Sequence, residues 1–339
     1  ISIQSSSSLL EQTSFNELEA VRSIKKAQIE EYFQSTKSDL DVLRETLERA
    51  LLSDKNSVAA FKPKYTGDES DYYNIYIEKT GYYDLFLINQ DGYIFYTAVK
   101  EADFQTNLIN GTYSDSNLAK LFGEVMQTGE FGFVDFAPYA PSNGDPASFI
   151  AMPLKNASGK TEMIVVLQIP LDSINKVMSG PAGIGDSGES YLVGADHLMR
   201  SDSYLDPENQ SVKASFANTQ LGRVDSEAVK AALAGDSGIK HLINYNRQPV
   251  ISAYTPVDVL GTTWALVSVV NEAEAFADIL ILEKVMLGVG VAGLIFIILL
   301  ANLFSGTISR PIRSLSGLFS QLDKTGDFAL RNTDITSED

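Results

Sequence analysis

The chain has no cysteine and only two histidines, His197 and His241, in 339 residues. Without thiols there is no disulfide, no zinc–thiolate site and no thiolate nucleophile. Two histidines give little material for a multi-histidine metal site or a histidine-based triad, and each reads more simply as a surface or turn residue. Cations are scarce: 26 Lys and Arg stand against 44 Asp and Glu, a formal net charge of −18. Nucleic acid is therefore not an expected partner, because phosphate binding needs clustered basic side chains. Proline and glycine are absent between Leu10 and Leu52, so nothing there interrupts a helix. What is present is globular in character, with 44% apolar and 21% charged residues, and the length suits two domains.

Within Leu10–Leu52, Ile29, Phe33, Thr36, Leu40, Leu43, Leu47 and Leu51 recur at spacings of three and four, with Lys25-Lys26 and Glu30-Glu31 assigned to the other face. One helix of roughly 43 residues would span ~65 Å, enough for a stalk running along two stacked modules. The apolar stripe is expected to form the seam of a coiled-coil dimer.

Val285–Phe304 carries no charge over 20 residues, the length that crosses a hydrocarbon core of ~30 Å. Arg310 and Arg313 follow it, whereas Glu272, Glu274, Asp278 and Glu283 precede it with only Lys284. The excess of positive charge after the span places residues 1–284 outside and 305–339 in the cytoplasm. A large external region beginning at Ile1 leads to the expectation of an earlier transmembrane helix just before it.

Two blocks between stalk and span share one order of elements. The stretch YYDLFLINQDGYIFY, Tyr82–Tyr96, reads as a hairpin around Asp91-Gly92, and SYLVGADHLMRSDSY reads as its echo, with Phe86 matching Tyr191 and Asp91 matching Asp196 at an offset of 105. Gly129 and Gly132 match Gly235 and Gly238 at 106, Pro153 matches Pro256 at 103, and Gly159 matches Gly261 at 102. Matches in order at near-constant spacing indicate an internal repeat of hairpin, helix and further strands. An α+β fold follows: a long stalk helix with two tandem antiparallel-sheet modules bearing helices on one face. The Gly- and Pro-containing stretch Met178–Gly188 is the linker between them; it has no phosphate-cradling spacing. After the span, Ile312, Leu315, Phe319 and Leu322 form a short heptad seam started by Pro311 and expected to end at Gly326-Asp327.

This order resembles the bacterial double-Cache transmembrane receptors with a HAMP domain, above all the methyl-accepting chemotaxis proteins. SFNELEAVRSIKKAQIEEYFQ looks like their opening stalk helix, YYDLFLINQDGYIFYT and ESYLVGADHLMRSD like the first hairpins of PAS-like distal and proximal modules, and ISRPIRSL…KTGDFALR like the first HAMP helix and connector. The resemblance implies a division into stalk (1–55), membrane-distal module (56–177), membrane-proximal module (178–280), transmembrane helix (285–304) and partial HAMP domain (305–339). It further implies a non-enzymatic sensor of the bacterial inner membrane. Its expected partners are a small-molecule ligand in the distal module and a second copy, paired through stalk, transmembrane and HAMP helices. A histidine kinase or nucleotide cyclase with the same front end is the alternative, and a membrane-anchored hydrolase using carboxylates such as Asp135 and Asp145 is a remote one. No cofactor or metal is expected.

Amino-acid-binding members of the family carry an Arg and a Trp-Tyr after the first hairpin, a Tyr-x-Asp on the middle strand and an Asp on the last strand. Here KEADFQTNLINGTYSDSNLA contains neither Arg nor Trp, Tyr139 matches the Tyr, Pro141 stands in place of the Asp, and Gln168 in place of the last Asp. What remains is an aromatic and acidic neighbourhood: Asp135, Tyr139 and Gln168 first, then Tyr113, Phe133, Phe149, Tyr96 and Asp103. Aromatic faces beside carboxylates suit a cationic or amine-bearing ligand. Arg200 reads as a structural salt-bridge residue, with a carboxylate ligand as the open alternative.

Overall fold

The computed structural model describes residues 3–53, 72–179, 184–305, 307 and 310–325. The chain divides into two units, Leu9–Ala275 and a second made of Ile1–Ser8 with Phe276–Asp339. Most of helix α1 (Ile3–Ser53) belongs to the first unit. Its apolar stripe is consumed inside the chain's own core: Ile29, Phe33 and Leu40 are 0% exposed, and Leu43, Leu47 and Thr36 are equally buried. The stripe therefore does not form the expected dimer seam. It packs on sheets whose inner faces are just as apolar, and burial of that area outweighs leaving it for a second chain. Lys25 also departs from the expected polar face: it is 7% exposed and its ammonium donates to the Val177 carbonyl at 2.5 Å.

The first module, the one the sequence reading places distally, is a five-stranded antiparallel sheet in the order β2-β1-β5-β4-β3. Its strands are β1 (Asp84–Asn89), β2 (Ile94–Thr97), β3 (Gly132–Pro138), β4 (Pro146–Lys155) and β5 (Thr161–Gln168). Helix α2 (Tyr72–Thr80) precedes it and α3 (Asn117–Thr128) crosses between β2 and β3. Ser116 caps the start of α3, accepting from the Ala119 amide, and Gly129 ends it in a left-handed conformation. Side chains alternate across the sheet. Leu85, Leu87, Val165, Leu167, Ile150 and Met152 face α1, while Phe86, Ile88, Ile164, Val166, Phe149 and Ala151 face α3. Helices thus cover both faces of the sheet, because α1 occupies the face that the sequence reading left uncovered.

After α4 (Leu171–Met178), the proximal module repeats the plan with four strands in the order β6-β9-β8-β7. These are β6 (Glu189–Val193), β7 (Gly238–Ile243), β8 (Pro249–Val259) and β9 (Thr262–Asn271). Helices α5 (Val212–Ala217) and α6 (Glu227–Leu233) accompany them, and α7 (Glu272–Ala275) ends the unit. The echo of the first hairpin is incomplete. The return arm is a single bridge, Val193 to Met199, because the Ser201 hydroxyl takes the Leu192 amide where a ladder carbonyl would stand. The turn is kept: His197, at the place of Gly92, adopts a φ of 67°.

The second unit holds α8 (Ala277–Phe304) and α9 (Arg310–Thr325). Within α8, Lys284–Phe304 is long and apolar enough to cross a membrane, and none of it is buried in protein. Ile312, Leu315 and Phe319 of α9 are exposed on one stripe. The Gly326-Asp327 break and linker residues 180–183 lie outside the described residues.

Candidate functional site

Two strands of the distal sheet end at one level, and β4 runs past them. Asp84 opens β1, Gln168 closes β5 and pairs with it, and Phe149 of β4 pairs with Gln168 from the other side. All three share the face of Phe86 and Val166, away from the stalk. The β3–β4 connection folds back over this end. Its short 3₁₀ turn, Ala140–Ser142, follows Tyr139, whose amide and carbonyl are both fixed by the turn, and the ring becomes fully buried, 5.0 Å from Phe149. From the loop after β2, Asp103 meets it: the Tyr139 hydroxyl donates to Asp103 Oδ2 at 2.5 Å.

The cluster is acidic and closed. Asp84 is 0% exposed; its Oδ1 accepts from the amides of Leu85, Ala98 and Val99, and its Oδ2 from the Thr97 hydroxyl. Burial nonetheless raises its pKa to about 7, because loss of water outweighs those four donors and Asp103 adds like charge. Asp103 is raised by burial as well, opposed by the Tyr139 hydroxyl and reinforced by Glu101. Glu101 accepts from Tyr83 Oη at 2.8 Å and Ser142 Oγ at 2.6 Å. Among the described residues no lysine or arginine pairs with Asp84, Glu101 or Asp103. Two buried acceptors, Asp103 Oδ1 and Gln168 Oε1, have no hydrogen-bond partner among the described residues. Such groups cost roughly 1–3 kcal/mol each when left dry, so they mark a place where donors are due.

Of the eight residues expected from sequence, the structure brings Tyr139, Gln168, Phe149 and Asp103 together here. The other four lie elsewhere. Phe133 faces the stalk, its ring 6.0 Å from Phe33, and Tyr96 packs on Tyr73 in the same core. Tyr113 is half-buried in the turn before α3. Asp135 turns toward the proximal module: Arg200 grips it at 2.8 and 2.9 Å and the Trp264 indole donates at 3.1 Å. Its carboxylate is thus occupied within the chain. Asp145 pairs separately with Lys213 at 2.8 Å, so the two carboxylates weighed for hydrolysis share no cleft.

Sequence reasoning missed Asp84, Glu101 and Ser142. Asp84 had a visible signal: it heads an apolar strand, and its mate at an offset of 105 is Glu189, also buried. The two modules differ in how they treat that carboxylate. Both Glu189 oxygens are taken by hydroxyls of its own module, Oε1 by Tyr245 and Oε2 by Ser203.

The grooves along the stalk are less suited to a specific small molecule. One of ≈ 490 Å³ is lined by Lys37, Asp41, Arg44 and Lys155, but Arg44 already pairs with Asp41 and Glu48, and Lys37 sits over the Phe131 ring. A second, of ≈ 600 Å³, is wide open beside Lys25 and Tyr32.

Known proteins share this plan. The chain is 23% identical over 264 residues to "Probable chemoreceptor y4sI" of Sinorhizobium fredii (strain NBRC 101917 / NGR234), covering 77% of this chain and 32% of the relative. It therefore spans about a third of that relative's length. Solved structures that match in fold include two chemoreceptor ligand-binding domains. The ligand-binding domain of the Pseudomonas aeruginosa PAO1 amino acid chemoreceptor PctC, in complex with GABA, matches with a TM-score of 0.52 at 13% identity, covering 76% of this chain and 99% of that one. That of Pseudomonas fluorescens chemoreceptor CtaA, in complex with L-isoleucine, matches at 0.53 and 13% identity, covering 80% and 97%. Residues 4–279 match the family model dCache_1, described as Cache domain. Two sheets in one strand order on one stalk, one end of the first closed over acceptors unpaired among the described residues, are thus the tandem modules of a chain that belongs to the Cache domain family.

Proposed function

We propose that this chain is the extracytoplasmic sensor, membrane span and first cytoplasmic helix of a transmembrane chemoreceptor. Its distal module would bind a small molecule at Asp103, Tyr139, Phe149 and Gln168. The observation that carries this is the pair of buried, unpaired acceptors in a closed polar cluster of a Cache domain that precedes an apolar helix of membrane-crossing length. The curated relative named as a chemoreceptor supports chemotaxis over an enzymatic output. In this reading the ligand shifts α1 or α8 between two packings, and a ligand biases such states only by its differential affinity for them. The exposed stripe of Ile312, Leu315 and Phe319 is read as the seam of a HAMP-like homodimer in the cytoplasm of a bacterial cell. On the stalk, a dimer would use the outward face, where Ile24 and Val42 are exposed.

The test is thermal unfolding of the chain in lipid nanodiscs against a metabolite panel. A ligand present at a hundred times its dissociation constant stabilises by about 2.7 kcal/mol, a clear shift of the midpoint. The shift should vanish in Tyr139→Phe combined with Asp103→Asn and persist in Phe133→Leu. A shift that survives the first pair and disappears in the second would move the site to the stalk face.

A further inference from the structure

The chemistry of the unpaired atoms narrows the ligand class, an inference that rests on the sensing site proposed above. Both orphan atoms are acceptors. Gln168 is 5% exposed and Asp103 is 0% exposed, so bulk water does not satisfy them. Three carboxylates, those of Asp84, Glu101 and Asp103, act together on Tyr139, and all of them raise the pKa of its hydroxyl after burial. Like charges gathered out of water are unfavourable, and either a proton or a positive charge on a ligand relieves them. A metal ion is not indicated: among the described residues no group of three or more His, Cys, Asp or Glu has the arrangement to hold one. The walls are the aromatic rings of Tyr139 and Phe149, in edge contact at 5.0 Å.

We infer that the distal site takes a protonated primary or secondary amine that carries no carboxylate, with its N–H groups donating to Asp103 Oδ1 and Gln168 Oε1. Each excluded class fails on a named atom. A quaternary ammonium has the charge but no N–H, so both acceptors stay unpaired. A neutral polyol has donors but brings no positive charge to the carboxylates. An amino acid brings an acidic group to a cluster where no lysine or arginine pairs with the carboxylates already there. An aromatic face adds affinity for a cation placed over it, and hydrogen bonds from a charged donor are the stronger kind.

Isothermal titration of the chain in nanodiscs at pH 7 tests this with putrescine, tyramine and β-phenylethylamine as N–H amines. Choline, ribitol, GABA and L-isoleucine serve as the contrasting probes. At least one of the three amines should bind, and Gln168→Leu or Asp103→Asn should weaken it by tenfold or more. Gln168→Glu keeps an acceptor at the same place and adds charge, so it should bind that amine as tightly or more tightly even if the Leu variant folds poorly. Binding of choline equal to that of the amines overturns the N–H requirement. Ribitol, GABA or L-isoleucine binding in a Gln168-dependent way, with no amine bound, overturns the amine class while leaving the site in place. If no probe binds, or binding ignores all three variants, both the ligand class and the site fall.

Discussion

Asp84 shows what a single residue does to the energetics of this module. Its carboxyl is fully buried among three amides and a hydroxyl, yet its folded pKa is raised to about 7. A raised acid keeps its proton in the folded chain after the unfolded chain has lost it. The folded state therefore binds more protons between about pH 4 and pH 7, and stability falls as pH rises through that window. For Asp84 alone the loss is on the order of 4 kcal/mol. Denaturant unfolding of Asp84→Asn should show that slope flattened, since the amide oxygen still accepts from the backbone and the amide nitrogen faces the Thr97 hydroxyl. An unchanged slope would assign the pH dependence to Asp103. At this scale the sequence was partly legible. Tyr139 and Gln168 were named by matching positions, but Asp103 and Asp84 owe their roles to burial, which depends on a loop and a turn folding over the sheet end.

Elements, rather than single residues, explain why Asp135 stands apart. It lies on β3 of the distal module, yet its carboxylate is held by Arg200 from the segment after β6 and by Trp264 of β9. Arg200 is 2% exposed and also reaches Asp196 at 3.0 Å, while its guanidinium lies 5.2 Å from the Phe216 ring. Trp264 in turn meets Phe33 of α1, ring centroids 5.3 Å apart. One carboxylate thus ties together two sheets and the stalk. Removing it in Asp135→Ala leaves a buried guanidinium whose remaining charged partner, Asp196, is half-exposed, and should cost about 3–5 kcal/mol. The double variant Asp135→Ala with Arg200→Met should cost clearly less than the sum of the singles, measured by a denaturant double-mutant cycle. Additive effects would show that the pair is independent of the surrounding packing. An alternating strand pattern placed Asp135 among aromatic neighbours, but the partner lies 65 residues further on, and no spacing in a sequence reports such a contact.

For the whole molecule, the absence of cysteine makes orientation directly measurable. Single cysteines in place of Lys120 on α3 and Ser320 on α9 give two exposed reporters with no background thiol. In intact cells a membrane-impermeant maleimide should label Lys120→Cys and spare Ser320→Cys, with both labelled after lysis. The reverse pattern would invert the orientation that Arg310 and Arg313 suggest.

The span, the stalk and the duplicated module were legible because each is written in local order. An uncharged run, an uninterrupted heptad-like stripe and a repeat at near-constant offset need no knowledge of distant contacts. The sequence by itself determined these elements and the α+β character of the chain. Only the tertiary structure decided what the stalk stripe touches, since Ile29, Phe33 and Leu40 are equally suited to a second helix or to the chain's own sheets. It alone sent Asp135 to the proximal module and left Asp103 Oδ1 and Gln168 Oε1 without donors among the described residues. The physical reason is common to both. Burial and hydrogen-bond satisfaction are properties of surroundings assembled from distant segments, whereas propensity and periodicity belong to the segment itself.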